Sequence, residues 1–222
     1  MNLGYGIQIV AWGEFALFTR PEMKVERVSY DIITPSAARG LIEAVYWHPG
    51  MKWVIDQIFI CNPIRFNRIR RNEVGLKLSA NNAYKTMYGK NSPLYINTSE
   101  VIQQRASLVL TDVRYIISAH FEITHVTSPC DPPQKFYSIV NRRLKSGKRF
   151  MQPYFGCREF SANVKLFSGN LPQCNETLKG THDLGYMLYD MDYSDPDNIR
   201  PTFFRAILHD GLLNLEDCEM IS

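Results

Sequence analysis

Cysteine is sparse and scattered in this chain. Cys61, Cys130, Cys157, Cys174 and Cys218 are odd in number and never form a C-x-x-C pair. That argues against a disulfide framework and against the usual zinc spacings, and it fits a reducing compartment. No apolar run reaches the length of a membrane-spanning helix, and the N-terminus MNLGYGIQIVAWGEF lacks the basic start, apolar centre and cleavage site of a secretion signal. A soluble, cytoplasmic protein with no membrane partner is expected. Also missing are a Walker loop, G-x-G-x-x-G, G-x-S-x-G and H-E-x-x-H, while His48, His125, His182 and His209 share no ligand spacing. Nucleotide, serine-hydrolase and metal chemistry find no support, and no metal or cofactor is expected.

What is present is an ordinary globular composition: 222 residues, 45% hydrophobic and 21% charged, enough for one large domain or one domain with an appendage. The net charge is only +3, but it is unevenly placed. From Lys135 to Arg158 there are seven Lys or Arg and no Asp or Glu, whereas from Asp190 to Glu219 eight acidic residues face only Arg200 and Arg205. A polyanion partner is therefore argued from clustering and not from the total.

Alternation in Tyr5 to Trp12, with Ile7, Ile9 and Ala11 on one face, predicts a half-buried strand. Thr34-Pro35 reads as an N-cap followed by proline at the first helical position. Ala38, Leu41, Ile42 and Val45 then keep helical spacing until His48-Pro49-Gly50, placing Tyr46 in the last turn. Trp53 to Cys61 reads as a second strand, and Arg65 with the following FNRIRRNEV brings Arg65, Arg68, Arg70 and Arg71 close together. Gly75 to Glu100 is polar and irregular, a long loop or hairpin insertion. In VRYIISAHFEI, Val113, Tyr115, Ile117, Ala119, Phe121 and Ile123 share one face, so His120 projects from the other with Arg114, Ser118 and Glu122. A helix opening at Asp131-Pro132 carries Phe136, Ile139, Val140 and Leu144 inward and ends at Gly147; a strand near Phe155 to Val164 follows. The order is βαββαβ, the ferredoxin-like pattern. Residues 1–177 form that domain, with an insertion at about 64–104, and residues 178–222 a small antiparallel β appendage.

The stretch RRLKSGKRFMQPYFGCREF mixes cations, two glycines and four aromatic rings. It reads either as the solvated end of a helix, where cations complement the dipole, or as a phosphate clamp with stacking rings, Tyr154 and Phe155, suited to single-stranded or hairpin RNA. The RRM signature is absent. His120 reads either as a surface histidine bonded to Glu122 or Arg114, or as the acid or base of metal-free ribonuclease chemistry. Tyr46 reads as packing or as a group that orients substrate or donates a proton.

The runs FTRPEMKVERVSYDIITPSAARGLIEAVYW, DVRYIISAHFEI, RRLKSGKRFMQPYFGCREF and LGYMLYDMDYSDP together resemble, nearly end to end, the Cas five family of type I-C (Dvulg) CRISPR systems, within the RAMP superfamily. The resemblance implies an α+β, ferredoxin-like (RRM-like) domain with a small C-terminal sheet. It implies an endoribonuclease that cuts precursor CRISPR RNA at the 3′ base of the repeat hairpin without metal and stays with the crRNA tag in the surveillance complex, among other type I-C subunits. Of the family's catalytic tyrosine, lysine and histidine, Tyr46 and His120 match. The lysine does not, because Ser118 and Ala119 stand in that region; Lys148, Arg149 or Lys24 are its candidate substitutes. RNA binding is expected from Arg142, Arg143, Lys145, Lys148, Arg149, Tyr154 and Arg158, with Arg68, Arg70, Arg71 and Lys24. Two rivals stand beside this reading: a subunit that caps the RNA tag without cutting it, and a protein that binds or cuts duplex DNA through the same basic patch.

Overall fold

A computed structural model describes residues 5–23, 25–90, 94–124, 132–216 and 218–221. Lys24, His125, Cys130 and Asp131, named above, lie outside the described residues. The fold is α+β, dominated by one largely antiparallel nine-stranded sheet. Its strands are β1 (Ile7–Ala16), β2 (Arg27–Val28), β3 (Met51–Ile60), β4 (Phe66–Val74), β5 (Ile102–Ile123), β6 (Asn163–Leu166), β7 (Thr181–Asp192), β8 (Arg200–His209) and β9 (Leu212–Asn214). Helices α1 (Pro35–Val45), α2 (Ala80–Met87), α3 (Thr98–Val101) and α4 (Pro133–Ser146) punctuate them. Among the described residues, no helix is long and apolar enough to cross a membrane.

The main path of the sheet runs β6-β1-β5-β3-β9-β8-β7, with β2 and β4 paired to β5. β5 is the longest element, 22 residues, and has two jobs. Its first part pairs with β4 from Val74↔Ile102 to Phe66↔Leu110, making a hairpin arm that carries α2 and α3. Its second part lies between β1 and β3. Asp112, at φ 50°, interrupts the alternation between the two, so Leu110 and Val113 join the same core although three residues apart. Of the two options for Gly75 to Glu100, a long loop or a hairpin insertion, the hairpin fits: the ladder is formed by the flanking residues 66–74 and 102–110, and β5 already begins at Ile102.

Helix α1 forms because Thr34 caps it, its Oγ1 accepting from the Ala37 amide at 3.3 Å, and Pro35 presets the first turn. Ala38, Leu41, Ile42 and Val45 bury one face against the sheet. Tyr46 follows the helix in extended conformation (φ −155°) and is not part of its last turn. Helix α4 buries Phe136, Val140 and Leu144 on the same side of the sheet and stops at Gly147, whose φ of 69° is the left-handed cap that glycine adopts without strain.

The strand expected near Phe155 to Val164 is displaced: β6 covers only Asn163–Leu166. Phe155 sits instead in a tight loop, fully buried against Phe18 and Tyr115. Its carbonyl accepts from the Leu17 amide at 3.1 Å. A ring enclosed in this way has no face left for a base, so the expected stacking role of Phe155 is withdrawn. At the other end, β9 pairs with β3 through Gln57↔Asn214 to Phe59↔Leu212, so β7–β9 continue the main sheet. β7 also turns back toward α1, where Arg39 forms an ion pair with Asp190.

Candidate nucleic-acid interface

The last turn of α4, the following loop and the β6 edge together build a basic groove. Arg143 is the best anchored of its cations. Its Nη1 donates to the Val45 carbonyl at 2.7 Å, filling one of the acceptor positions a helix end leaves open, and its guanidinium lies 5.0 Å from the Tyr46 ring. The loop is tied to the same helix end, because the amides of Phe150 and Met151 both donate to the Ala44 carbonyl. Lys145, Lys148, Arg149 and Lys165 complete the cationic lining of a cavity of about 510 Å³ that has no Asp or Glu among the described residues of its wall. The groove wraps over β6. Val164 and Leu166 pack inward, so by strand alternation Asn163 and Lys165 face the other side of the sheet, where Lys165 Nζ stands 5.7 Å from the Trp12 ring.

The remaining cations expected from the sequence divide into three groups. Arg142 and Arg158 are exposed but do not line the groove. Arg68 and Arg70 are exposed on one face of β4. Arg71, on its opposite face, is held internally: it forms an ion pair with Glu159, donates to Ser107 Oγ at 3.0 Å and covers the Phe160 ring. Its charge is neutralised within the protein, where it ties the hairpin arm to the loop before β6. Tyr154 is half-buried and lines a second cavity that shares Arg143 with the groove.

Tyr46 and His120 are not brought together. Tyr46 is buried on the helical side of the sheet, packed against Phe136, which packs in turn on Phe121. His120 is the neighbour of Phe121 in a regular strand and so points to the opposite face. There a β-bulge decides its surroundings. The β3–β5 register passes from Ile55↔Ala119 to Gln57↔Ser118, leaving Asp56 as an extra residue. Asp56 Oδ1 lies 2.6 Å from His120 Nδ1. The neighbours proposed from the sequence, Glu122 and Arg114, are not its hydrogen-bond partners. With a carboxylate holding Nδ1–H, the imidazole has its Nε2 available as a proton acceptor, at a side chain that is 33% exposed. Ser118, on the same face, accepts from Gln8 Nε2 at 3.0 Å. Lys52 pairs with Glu122, two positions along from the Val54–His120 pair and so on the same face. At that diagonal spacing, about 7–8 Å, a lysine reaches the histidine's surroundings.

Sequence reading missed Asp56, Lys52, Trp12 and Lys165. Strand register could have supplied Lys52. Asp56 depends on a bulge that local composition does not announce.

A mixed fold of this kind, with a carboxylate-free groove wrapped over one sheet edge, defines a protein suited to holding a polyanion. Comparison with known proteins gives the family. The model of the family described as CRISPR-associated protein (Cas_Cas5) matches residues 6–216, and the chain belongs to it. It is 44% identical over 214 residues to the CRISPR pre-crRNA endoribonuclease Cas5d of Mannheimia succiniciproducens, covering 94% of each chain. It is 38% identical over 201 residues to the protein of that name from Thermus thermophilus, covering 90% of this chain and 79% of that one. Among solved structures, a CRISPR-associated protein superposes with a TM-score of 0.70 at 20% identity over 98% of this chain and 96% of its own, a likeness of fold.

Proposed function

We propose that this protein is a cytoplasmic endoribonuclease that cuts precursor CRISPR RNA at the 3′ base of the repeat hairpin. It stays on the tag among other type I-C subunits. Relatives named for that activity support the reading. The observation that carries it to this chain is the carboxylate-free groove, which leads phosphates from Arg143 and Lys148 over β6 to Lys165, on the face that holds His120. We read residues 1–177 as a ferredoxin-like domain, with the insertion at 64–104, and residues 178–222 as its β appendage. The order β6-β1-β5-β3, with α1 between β1 and β3 and α4 between β5 and β6, supports this.

In the proposed chemistry His120 Nε2 takes the proton of a 2′-hydroxyl. The 2′-oxygen attacks phosphorus, the 5′-oxygen leaves and receives a proton, and the products end in 2′,3′-cyclic phosphate and 5′-hydroxyl. Asp56 fixes the imidazole's orientation through Nδ1. Lys52 is our choice for the cation that the family's lysine would supply, in place of Lys148 or Arg149, which lie in the loop after α4. Tyr46 acts as a brace for Arg143 and does not touch the scissile phosphate.

The test is cleavage of an end-labelled repeat hairpin in excess EDTA. One cut is expected, with a loss of at least about 100-fold in His120→Ala and a smaller loss in Asp56→Asn and Lys52→Ala, at unchanged RNA affinity. The separation of Tyr46 from His120 favours one second reading, a tag-capping subunit that does not cut. Tight binding of intact RNA by the native protein would select it. Displacement of the RNA by equal lengths of duplex DNA would overturn both.

A further inference from the structure

Along the outer side of α1, away from the sheet, lies a cavity of about 570 Å³, a volume typical of small-molecule sites. Its floor is smooth because Ala37, Gly40 and Ala44 recur on one helical face, and a Cβ added at Gly40 meets nothing within 4 Å. Rings form its walls. Trp47, just past the helix, is 57% exposed, Phe150 is 78% exposed, and Tyr154 closes the far side. Large rings left open beside a cavity provide flat surfaces for another flat group.

Two polar residues at the rim narrow the choice of occupant. Arg143 lines both this cavity and the basic groove, so a chain whose phosphates follow the groove passes the cavity mouth. Glu43 offers a carboxylate. Arg39, itself pinned by Asp190, approaches Glu43 Oε1 through Nε at 3.5 Å. A guanine edge presents N1–H and N2–H side by side, matching a carboxylate. Adenine and cytosine place a ring acceptor beside their amino group, and uracil flanks its single N–H with carbonyls, so each of these meets the carboxylate with repulsion.

We infer that this cavity is a pocket for one unpaired guanine of the bound RNA, stacked between Trp47 and Phe150 and selected by Glu43. The inference rests on the RNA reading above and adds a base preference to it.

The experiment titrates the full-length protein with guanosine, adenosine, cytidine and uridine 5′-monophosphates, following tryptophan fluorescence. Guanosine monophosphate should quench saturably, at least tenfold more tightly than the others, and the signal should vanish in Trp47→Phe. In Glu43→Gln the preference should fall below threefold while stacking persists. Equal affinity for all four nucleotides, or a preference unchanged in Glu43→Gln, overturns the proposal. Hairpin RNA is assayed in parallel. If it is bound and cut while the nucleotides show no discrimination, the guanine pocket fails and the ribonuclease reading survives. If guanosine monophosphate binds selectively while the hairpin is neither bound nor cut, the pocket stands and the assignment of its macromolecular partner falls.

Discussion

Gly156 shows how much can rest on one hydrogen atom. At φ 77° it occupies a conformation that side chains rarely adopt, and an ideal Cβ there would lie 1.9 Å from the Leu17 carbonyl oxygen. The loop before β6 therefore presses its backbone directly on the chain after β1 and so buries Phe155. Gly156→Ala should destabilise by at least about 2 kcal/mol, since left-handed strain and a backbone clash combine. For a chain of this size that is a fall of about 4–8 °C in thermal midpoint, measurable by circular dichroism. Much of the residue-scale picture was legible beforehand: period-two alternation put His120 on the face opposite Phe121, where it is found. Its partner was not legible, because Asp56 is 64 positions away and reaches it only through an extra residue in β3. Phe155 misled for a related reason, since flanking cations suggest exposure but say nothing of a backbone contact with Leu17.

At the scale of elements, the basic segment is split by function. The end of α4 and its loop line the groove, whereas Arg158 stands beyond it and Arg71 is an internal tie. Lys148→Ala combined with Arg149→Ala should weaken RNA binding and reduce the slope of log affinity against log salt by about 1.4 for a single strand, at about 0.7 per phosphate contact released. An unchanged slope, measured by filter binding across a salt series, would return the segment to a solvated helix end. Glu43, on α1, offers a separate test of the helix. Burial holds its carboxyl above the ordinary range, Arg39 opposes that, and Asp190 adds to it. A raised acid favours the folded state when protonated, so this contribution is lost as pH climbs from the ordinary carboxylate value through the raised one. Glu43→Gln should remove that part of the pH dependence and leave the neutral-pH melting temperature equal or higher. The caps of α1 were readable from Thr34 and Pro35, as was the glycine stop of α4. A hairpin insertion was one of two readable options, but its ladder was not, because β4 and β5 pair across the polar stretch that looked irregular.

For the whole molecule, the question is how far the C-terminal strands are a separate part. They carry the acidic charge, yet Met187, Phe204, Ala206, Leu208 and Leu213 share one buried cluster with the residues of α1 and β3. β9 also supplies ladder hydrogen bonds to β3. A chain ending at residue 177 should therefore lose its cooperative melting transition and expose apolar surface, read by calorimetry and dye binding. A sharp transition near that of the full protein would instead establish the first 177 residues as independently stable. The sequence pointed to a change of charge from Asp190 onward and to short strands after residue 177, but neither reports which edge of a sheet a later strand will join.

The bulge in β3 sets the phase of the strand. Before it, the odd-numbered residues Trp53 and Ile55 face the core; after it, the even-numbered Ile58 and Ile60 do. The two halves obey opposite parities, and a single uncounted residue reconciles them. Substitutions within either half affect one side chain at a time. Removing Asp56 itself would close the bulge and restore strict alternation, keeping Trp53, Ile55, Ile58 and Ile60 on the core face while taking the carboxylate away from His120. The core would keep its phase without the extra residue; what that residue adds to the strand is the carboxylate beside His120.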